Sequence, residues 1–115
     1  MEERSLLIGV VGPCAAGKTT LVEGLNLLGI KCRHIAQEHS YVPAMWKKIT
    51  NPDVLVYLDV SYPLTITRRQ LNWTQAEYQE QLHRLRDARK KADLFIQTDS
   101  LSPQEILQAV LKYIS

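Results

Sequence analysis

Along the chain, short unbroken apolar runs alternate with segments whose apolar residues recur at helical spacing. Leu6-Leu7-Ile8-Gly9-Val10-Val11 is such a run, short enough for one strand and apolar on both faces, as a strand buried on both sides requires. From Thr19 to Leu28, the residues Leu21, Val22, Leu25 and Leu28 share one side of a helix that Gly29 ends. Lys31 to Ala36 alternates polar and apolar and predicts a second strand nearer an edge of the sheet. Asp53 to Val60 is apolar apart from its ends and rich in β-branched residues, so a third strand belongs in the middle. Leu94 to Thr98 predicts a fourth strand. Ile106, Leu107, Val110, Leu111 and Ile114 give a last helix a face to lay on the sheet.

Punctuation residues sharpen these boundaries. Pro43 can open a helix of one or two turns that Pro52 cannot continue, with Met45, Trp46 and Ile49 on its buried side and Trp46 as a packing residue. Pro63 starts a helix to about Leu71. Thr74-Gln75-Ala76-Glu77 is a capping box opening a longer helix to about Ala92, with Tyr78, Leu82, Leu85, Ala88 and Ala92 as a narrow apolar stripe. Ser102-Pro103-Gln104-Glu105 is a second capping box, with proline at the first helical position. Strands separated by helices predict an α/β fold in which helices flank a four-stranded parallel sheet. No repeat, low-complexity tract or interior linker divides residues 1–115, so one domain is expected.

Composition adds limits. At 115 residues the chain suits one modest core, and 14 basic against 12 acidic side chains leave a net charge of only +2. Bulk charge therefore implies neither a nucleic-acid nor a membrane partner, and no apolar segment is long enough to span a bilayer. The acidic start, Met1-Glu2-Glu3-Arg4, leads straight into the first strand without a targeting signal. Cys14 and Cys32 have no second cysteine or histidine at ligand spacing in the sequence, which points to a reduced, cytoplasmic setting.

The chemistry concentrates in Gly12-Pro13-Cys14-Ala15-Ala16-Gly17-Lys18-Thr19-Thr20, which fits G-x-x-x-x-G-K-[ST] at every fixed position and lies between a predicted strand and a predicted helix. This is a P-loop pattern. Curling several backbone N–H groups toward one polyphosphate needs glycine or small residues, a need that Gly12 and Gly17 meet. Lys18 would reach the β- and γ-phosphates of ATP, Thr19 would be a ligand to Mg²⁺, and Thr20 could meet the α-phosphate at the positive end of the helix. Cys14 reads either as a small loop residue or as a redox-sensitive thiol beside a helix N-terminus.

Further candidates follow from position. Ligands of open parallel sheets bind beyond the carboxyl ends of the strands, which puts Glu38 and His39 on the side of the loop. Glu38 could hold Mg²⁺ through water or accept a proton from a nucleophile, or it could be an exposed loop carboxylate; His39 is the weaker candidate. Asp59, after four hydrophobic residues, fits a Walker B carboxylate serving the metal and equally a residue capping the next turn. Seven of the fourteen basic residues lie between Arg68 and Lys91. Glu80 with Arg84 and Asp87 with Lys91 are i,i+4 pairs of a solvated face, but Arg68, Arg69, Arg84, Arg86 and Arg89 exceed what such a face needs. Residues 62–92 accordingly read as a lid-like helical segment carrying arginines to a transferring phosphoryl group.

With these stretches read, the chain resembles the P-loop nucleoside and nucleotide kinases, in the neighbourhood of thymidylate kinase and dephospho-CoA kinase. The carriers are Gly12 to Thr20, Pro52 to Ser61, the arginine-bearing helices, and Ala92 to Asp99. The resemblance implies a three-layer P-loop NTPase fold with the loop strand central, Arg68 or Arg69 near the adenine, Arg84, Arg86 or Arg89 in the lid, and Thr98 to Ser102 near the base edge. Gln37-Glu38-His39 stands where the family often carries an Asp-Arg pair, and the acceptor-binding region is shortened. A small Mg²⁺-dependent phosphotransferase acting from ATP on a small-molecule acceptor is the favoured expectation. A nucleotide-binding module or slow ATPase, compatible with a homo-oligomer, is the second. No Asn-Lys-x-Asp guanine signature is present.

Overall fold

A computed structural model describes residues 6–115; the acidic segment Met1 to Arg4 lies outside the described residues. Four strands form one all-parallel sheet: β1 (Ile8–Val11), β2 (Cys32–His34), β3 (Val54–Asp59) and β4 (Leu94–Gln97), in the order β2-β1-β3-β4. Ile8 pairs with Cys32 on one side and Val54 on the other, and Val56 pairs with Leu94, so the C-terminal ends of the strands collect at one edge. The two strands expected to be most apolar, β1 and β3, take the centre, where both faces need cover.

Strand alternation splits the core into two. Ile8, Val10, Val56 and Leu58 face α1 (Lys18–Leu27) and α6 (Pro103–Ile114), meeting Leu21, Leu25, Ile106 and Val110. Val11, Leu55 and Tyr57 face the opposite way. They pack on Trp46 of α2 (Met45–Ile49) and on Leu85 and Ala88, at and after the end of α4 (Gln75–Arg84) and in α5 (Arg86–Lys91). The remaining helix, α3 (Tyr62–Arg69), leads from β3 toward α4. Both expected capping boxes form, with Thr74 and Glu77 at α4 and Ser102 and Glu105 at α6. Gly9 is required by a close approach, since a Cβ there would stand 2.6 Å from Ile35 Cδ1 and 2.9 Å from Pro52.

Three expectations need correction. The helix from Thr74 does not run unbroken to Ala92. It breaks at Leu85 (φ −91°, ψ −1°), where the fully buried side chain is drawn onto the sheet and Arg86 Nη1 donates to the freed His83 carbonyl at 2.6 Å. Ile49 is 72 % exposed rather than on a buried face, because Trp46 alone anchors the short α2. Leu28, at the helix C-cap, is exposed too, lying beyond Leu21 and Leu25, whose side chains join the core. No helix among the described residues is long and apolar enough to cross a membrane.

Candidate functional site

The loop between β1 and α1 is built from backbone conformations that small residues tolerate. Gly12 (φ 154°), Ala15 (φ 70°) and Gly17 (φ 103°) all have positive φ, and a Cβ on Gly12 would stand 2.2 Å from the Leu58 carbonyl oxygen of the neighbouring strand. Gly17 caps α1, whose first turn leaves N–H groups without intrahelical partners, turned toward the loop. Two distant side chains fix the loop from outside. Gln81 of α4 accepts from the Cys14 N–H at 3.0 Å and donates to Cys14 Sγ at 3.1 Å. Arg68 donates to the Ala15 carbonyl at 3.3 Å and, on the other side, to Thr98 Oγ1 at 3.0 Å and to the Thr98 carbonyl.

Lys18 is the centre of this arrangement. Its side chain is only 5 % exposed, and Nζ donates both to the Gly12 carbonyl and to Glu38 Oε2. Glu38 comes from a single 3₁₀ turn, Gln37–His39, that follows β2, as the strand-end rule places it. It is 3 % exposed, and its second oxygen, Oε1, is buried without a hydrogen-bond partner. Burial pushes the Lys18 ammonium below its ordinary pKa, and the Glu38 charge offsets part of that. Burial acts upward on Glu38, but the His34 imidazole and the Lys18 charge prevail and hold its carboxyl below the usual glutamate value. His34 Nε2 and His39 Nε2 lie 3.9 and 3.8 Å from Glu38 Oε2.

A cleft of about 600 Å³ opens over these groups, within the range of small-molecule sites. Cys14 to Leu21, Glu38, both histidines, Arg68 and Arg69 line it on the polar side, and Leu101 and Ile106 belong to its apolar side. Of the expected site residues, Gly12 and Pro13 form the buried base of the loop, while Ala15, Ala16, Gly17, Lys18, Thr19 and Thr20 border the cleft. Thr19 and Thr20 are exposed to it.

Arg84, Arg86, Arg89 and Asp59 are not brought to the cleft. Arg84 lies 4.4 Å over the Tyr41 ring with Nε 3.3 Å from Glu80, and reaches only the Glu38 backbone carbonyl, at 3.4 Å. Arg86 is spent on the His83 carbonyl, and Arg89 stands 5.3 Å over the Phe95 ring. Leu85 and Ala88 pin the end of α4 and α5 to the sheet, while Gln81, earlier in α4, is the residue of that helix that meets the loop. Asp59 shares the strand face of Tyr57, away from α1; burial raises its carboxyl and the charge of Arg89 opposes this. Its carbonyl accepts from the Thr98 N–H and hydroxyl at 2.9 and 2.7 Å, which closes the end of β4.

Sequence reasoning passed over His34, Gln81 and Gln37. Gln81 had a signal, being a polar residue three positions after Tyr78 on the apolar stripe. His34 lies four residues before Glu38, inside the predicted edge strand and at the end of β2. Gln37, almost fully buried, accepts from the Trp46 N–H and donates to the Val42 and Arg84 carbonyls, at 2.8, 2.9 and 3.1 Å, a role that no local pattern announces. The chain matches no protein-family model and no curated protein.

Proposed function

We propose that the chain is a P-loop nucleotide-binding protein that uses ATP and Mg²⁺ as a small phosphotransferase. One observation carries this reading: Lys18, buried at the mouth of a loop of positive-φ small residues, is held by a loop carbonyl and a buried carboxylate in a position that a phosphate oxygen can take over. Lys18 contributes charge to the terminal phosphates, and the loop N–H groups and α1 cradle the chain of phosphates. Thr19 and the unpartnered Oε1 of Glu38 suit a Mg²⁺ ion carried in with the nucleotide, which when bound neutralises phosphate charge. Arg69 lines the cleft as a further cation, and Arg68 holds the loop against the β4 end. His34 and His39 flank Glu38 where an acceptor hydroxyl would approach it.

The displacement of Arg84, Arg86 and Arg89 from the cleft favours a second reading, a nucleotide-binding module or slow ATPase with no lid to exclude water. Both readings require nucleotide binding, which calorimetric titration with ATP and Mg²⁺ measures. Wild type is expected to bind, and Lys18→Ala to weaken binding at least about a hundredfold, as loss of a charge-assisted contact in a closed site implies. Equal affinity in the two proteins would overturn the P-loop assignment. ATP consumption measured with nucleosides, nucleotides and hydroxylated metabolites then divides the readings: stimulation by one compound establishes transfer, and binding without stimulation establishes the module.

A further inference from the structure

Cys14 Sγ, a Glu38 carboxylate oxygen and a His39 ring nitrogen all lie within 4.8 Å of one another in the cleft. This donor set does not suit magnesium, which takes oxygen ligands; sulfur, nitrogen and carboxylate oxygen together suit zinc and its first-row neighbours. Two further observations point to a ligand. Glu38 is almost wholly buried, yet Oε1 has no partner, while Oε2 is occupied by Lys18. Cys14 is clamped at both its backbone and its sulfur by Gln81, which fixes Sγ in place at the cleft. Tetrahedral zinc with bonds of about 2.0–2.3 Å needs ligand atoms roughly 3.5 Å apart. The exposed His39 side chain has room to rotate its ring nitrogen toward such a position.

The geometry points to a zinc-type site formed by Cys14, Glu38 and His39 in the nucleotide-free protein, with the fourth position open. A thiolate and a carboxylate balance the dication, and Lys18 keeps its place on Oε2. Because Glu38 Oε1 and the Cys14 segment of the loop serve both ligands, zinc and Mg·ATP exclude each other. Zinc thus becomes an inhibitor of the loop. This exclusion rests on the nucleotide reading, whereas the metal site itself does not.

The test is a titration of the reduced, nucleotide-free protein with Co²⁺, followed by absorbance. The expected result is a thiolate-to-cobalt charge-transfer band in the near ultraviolet that saturates at one metal per chain and is bleached by Zn²⁺. Cys14→Ser should abolish the band and Cys32→Ser, the change at the other cysteine, should keep it. His39→Ala should weaken Co²⁺ binding at least about tenfold. That variant is the safeguard against misfolding, since His39 is exposed. No band in wild type, an undiminished band in Cys14→Ser, or unchanged affinity in His39→Ala would each overturn the site. For the exclusion, ATP affinity with Mg²⁺ is measured with and without one equivalent of Zn²⁺. Loss of ATP affinity on zinc addition supports it, and equal affinity overturns it. A protein that shows the cobalt band but binds no ATP would instead sink the nucleotide reading and leave the metal site standing.

Discussion

At the scale of single residues, the loop depends on three positive-φ positions whose demands differ, and the difference can be measured. Gly12 carries both a strained backbone conformation and a carbonyl 2.2 Å from where a Cβ would go, so Gly12→Ala should cost at least about 2 kcal/mol in urea unfolding. Gly17→Ala meets only Ile106 Cδ1, at 3.8 Å, and bears the conformational penalty alone, about 1 kcal/mol. Ala15→Gly should change stability by less than about 0.5 kcal/mol, since relief of the αL strain at φ 70° is offset by the greater freedom of glycine in the unfolded chain. Equal losses for Gly12→Ala and Gly17→Ala would show that the Leu58 carbonyl does not crowd the loop. The glycine spacing made this loop legible in sequence. The partner of Lys18 was legible only as a position, because the strand-end rule locates Glu38 but says nothing of its burial.

At the scale of elements, the layer formed by α2, α4 and α5 is held by polar ties that no periodicity predicts. Gln37 joins the turn after β2 to α2 and to the end of α4 through three hydrogen bonds. Replacing it with leucine leaves the buried Trp46 N–H unpaired and takes one donor from each of the Val42 and Arg84 carbonyls, so Gln37→Leu should cost about 2 kcal/mol in urea unfolding, and a much smaller loss would mean that water takes over its partners. Asp87 accepts from the Trp46 indole N–H at 3.0 Å and pairs with Lys91 at 3.1 Å. Burial acts upward on its carboxyl, but the indole and the Lys91 ammonium act downward and prevail. A carboxyl whose folded pKa is depressed stabilises above its unfolded pKa and loses that contribution as pH falls through the folded value. Asp87→Asn should therefore lower the urea midpoint at pH 7, and the gap to wild type should close only below the ordinary aspartate value of 3.8. A gap unchanged at pH 3 would assign the effect to shape rather than charge. The capping boxes at Thr74 and Ser102 were readable because their chemistry is local. The break at Leu85 was not, because it answers to Leu85 and Ala88 reaching the sheet, and with it went the expected placement of Arg84, Arg86 and Arg89.

At the scale of the whole molecule, parallel strand order brings distant segments to one edge, and this explains what the sequence made visible and what it hid. Alternation along β3 says that Tyr57 and Asp59 share a face, but not that α1 and the loop cover the other one; only packing decides that, and it takes Asp59 out of the cleft. The cleft itself is assembled from the loop after β1, the first turn of α1, the turn after β2, the end of α3 and the start of α6, so a ligand there ties together elements spread along the described chain. Such a ligand binds only the folded state. If the cleft takes Mg·ATP, nucleotide at a hundred times its dissociation constant adds about 2.7 kcal/mol of stability. At about 4 °C per kcal/mol for a chain of this size, the Tm should rise by roughly 10 °C. The rise should vanish in Lys18→Ala and survive in Arg86→Ala, because Arg86 is spent on the His83 carbonyl and does not line the cleft. A shift of equal size in Lys18→Ala would mean that ATP is held elsewhere on the molecule, and loss of the shift in Arg86→Ala would mean that the α4–α5 segment closes over the cleft once nucleotide is bound.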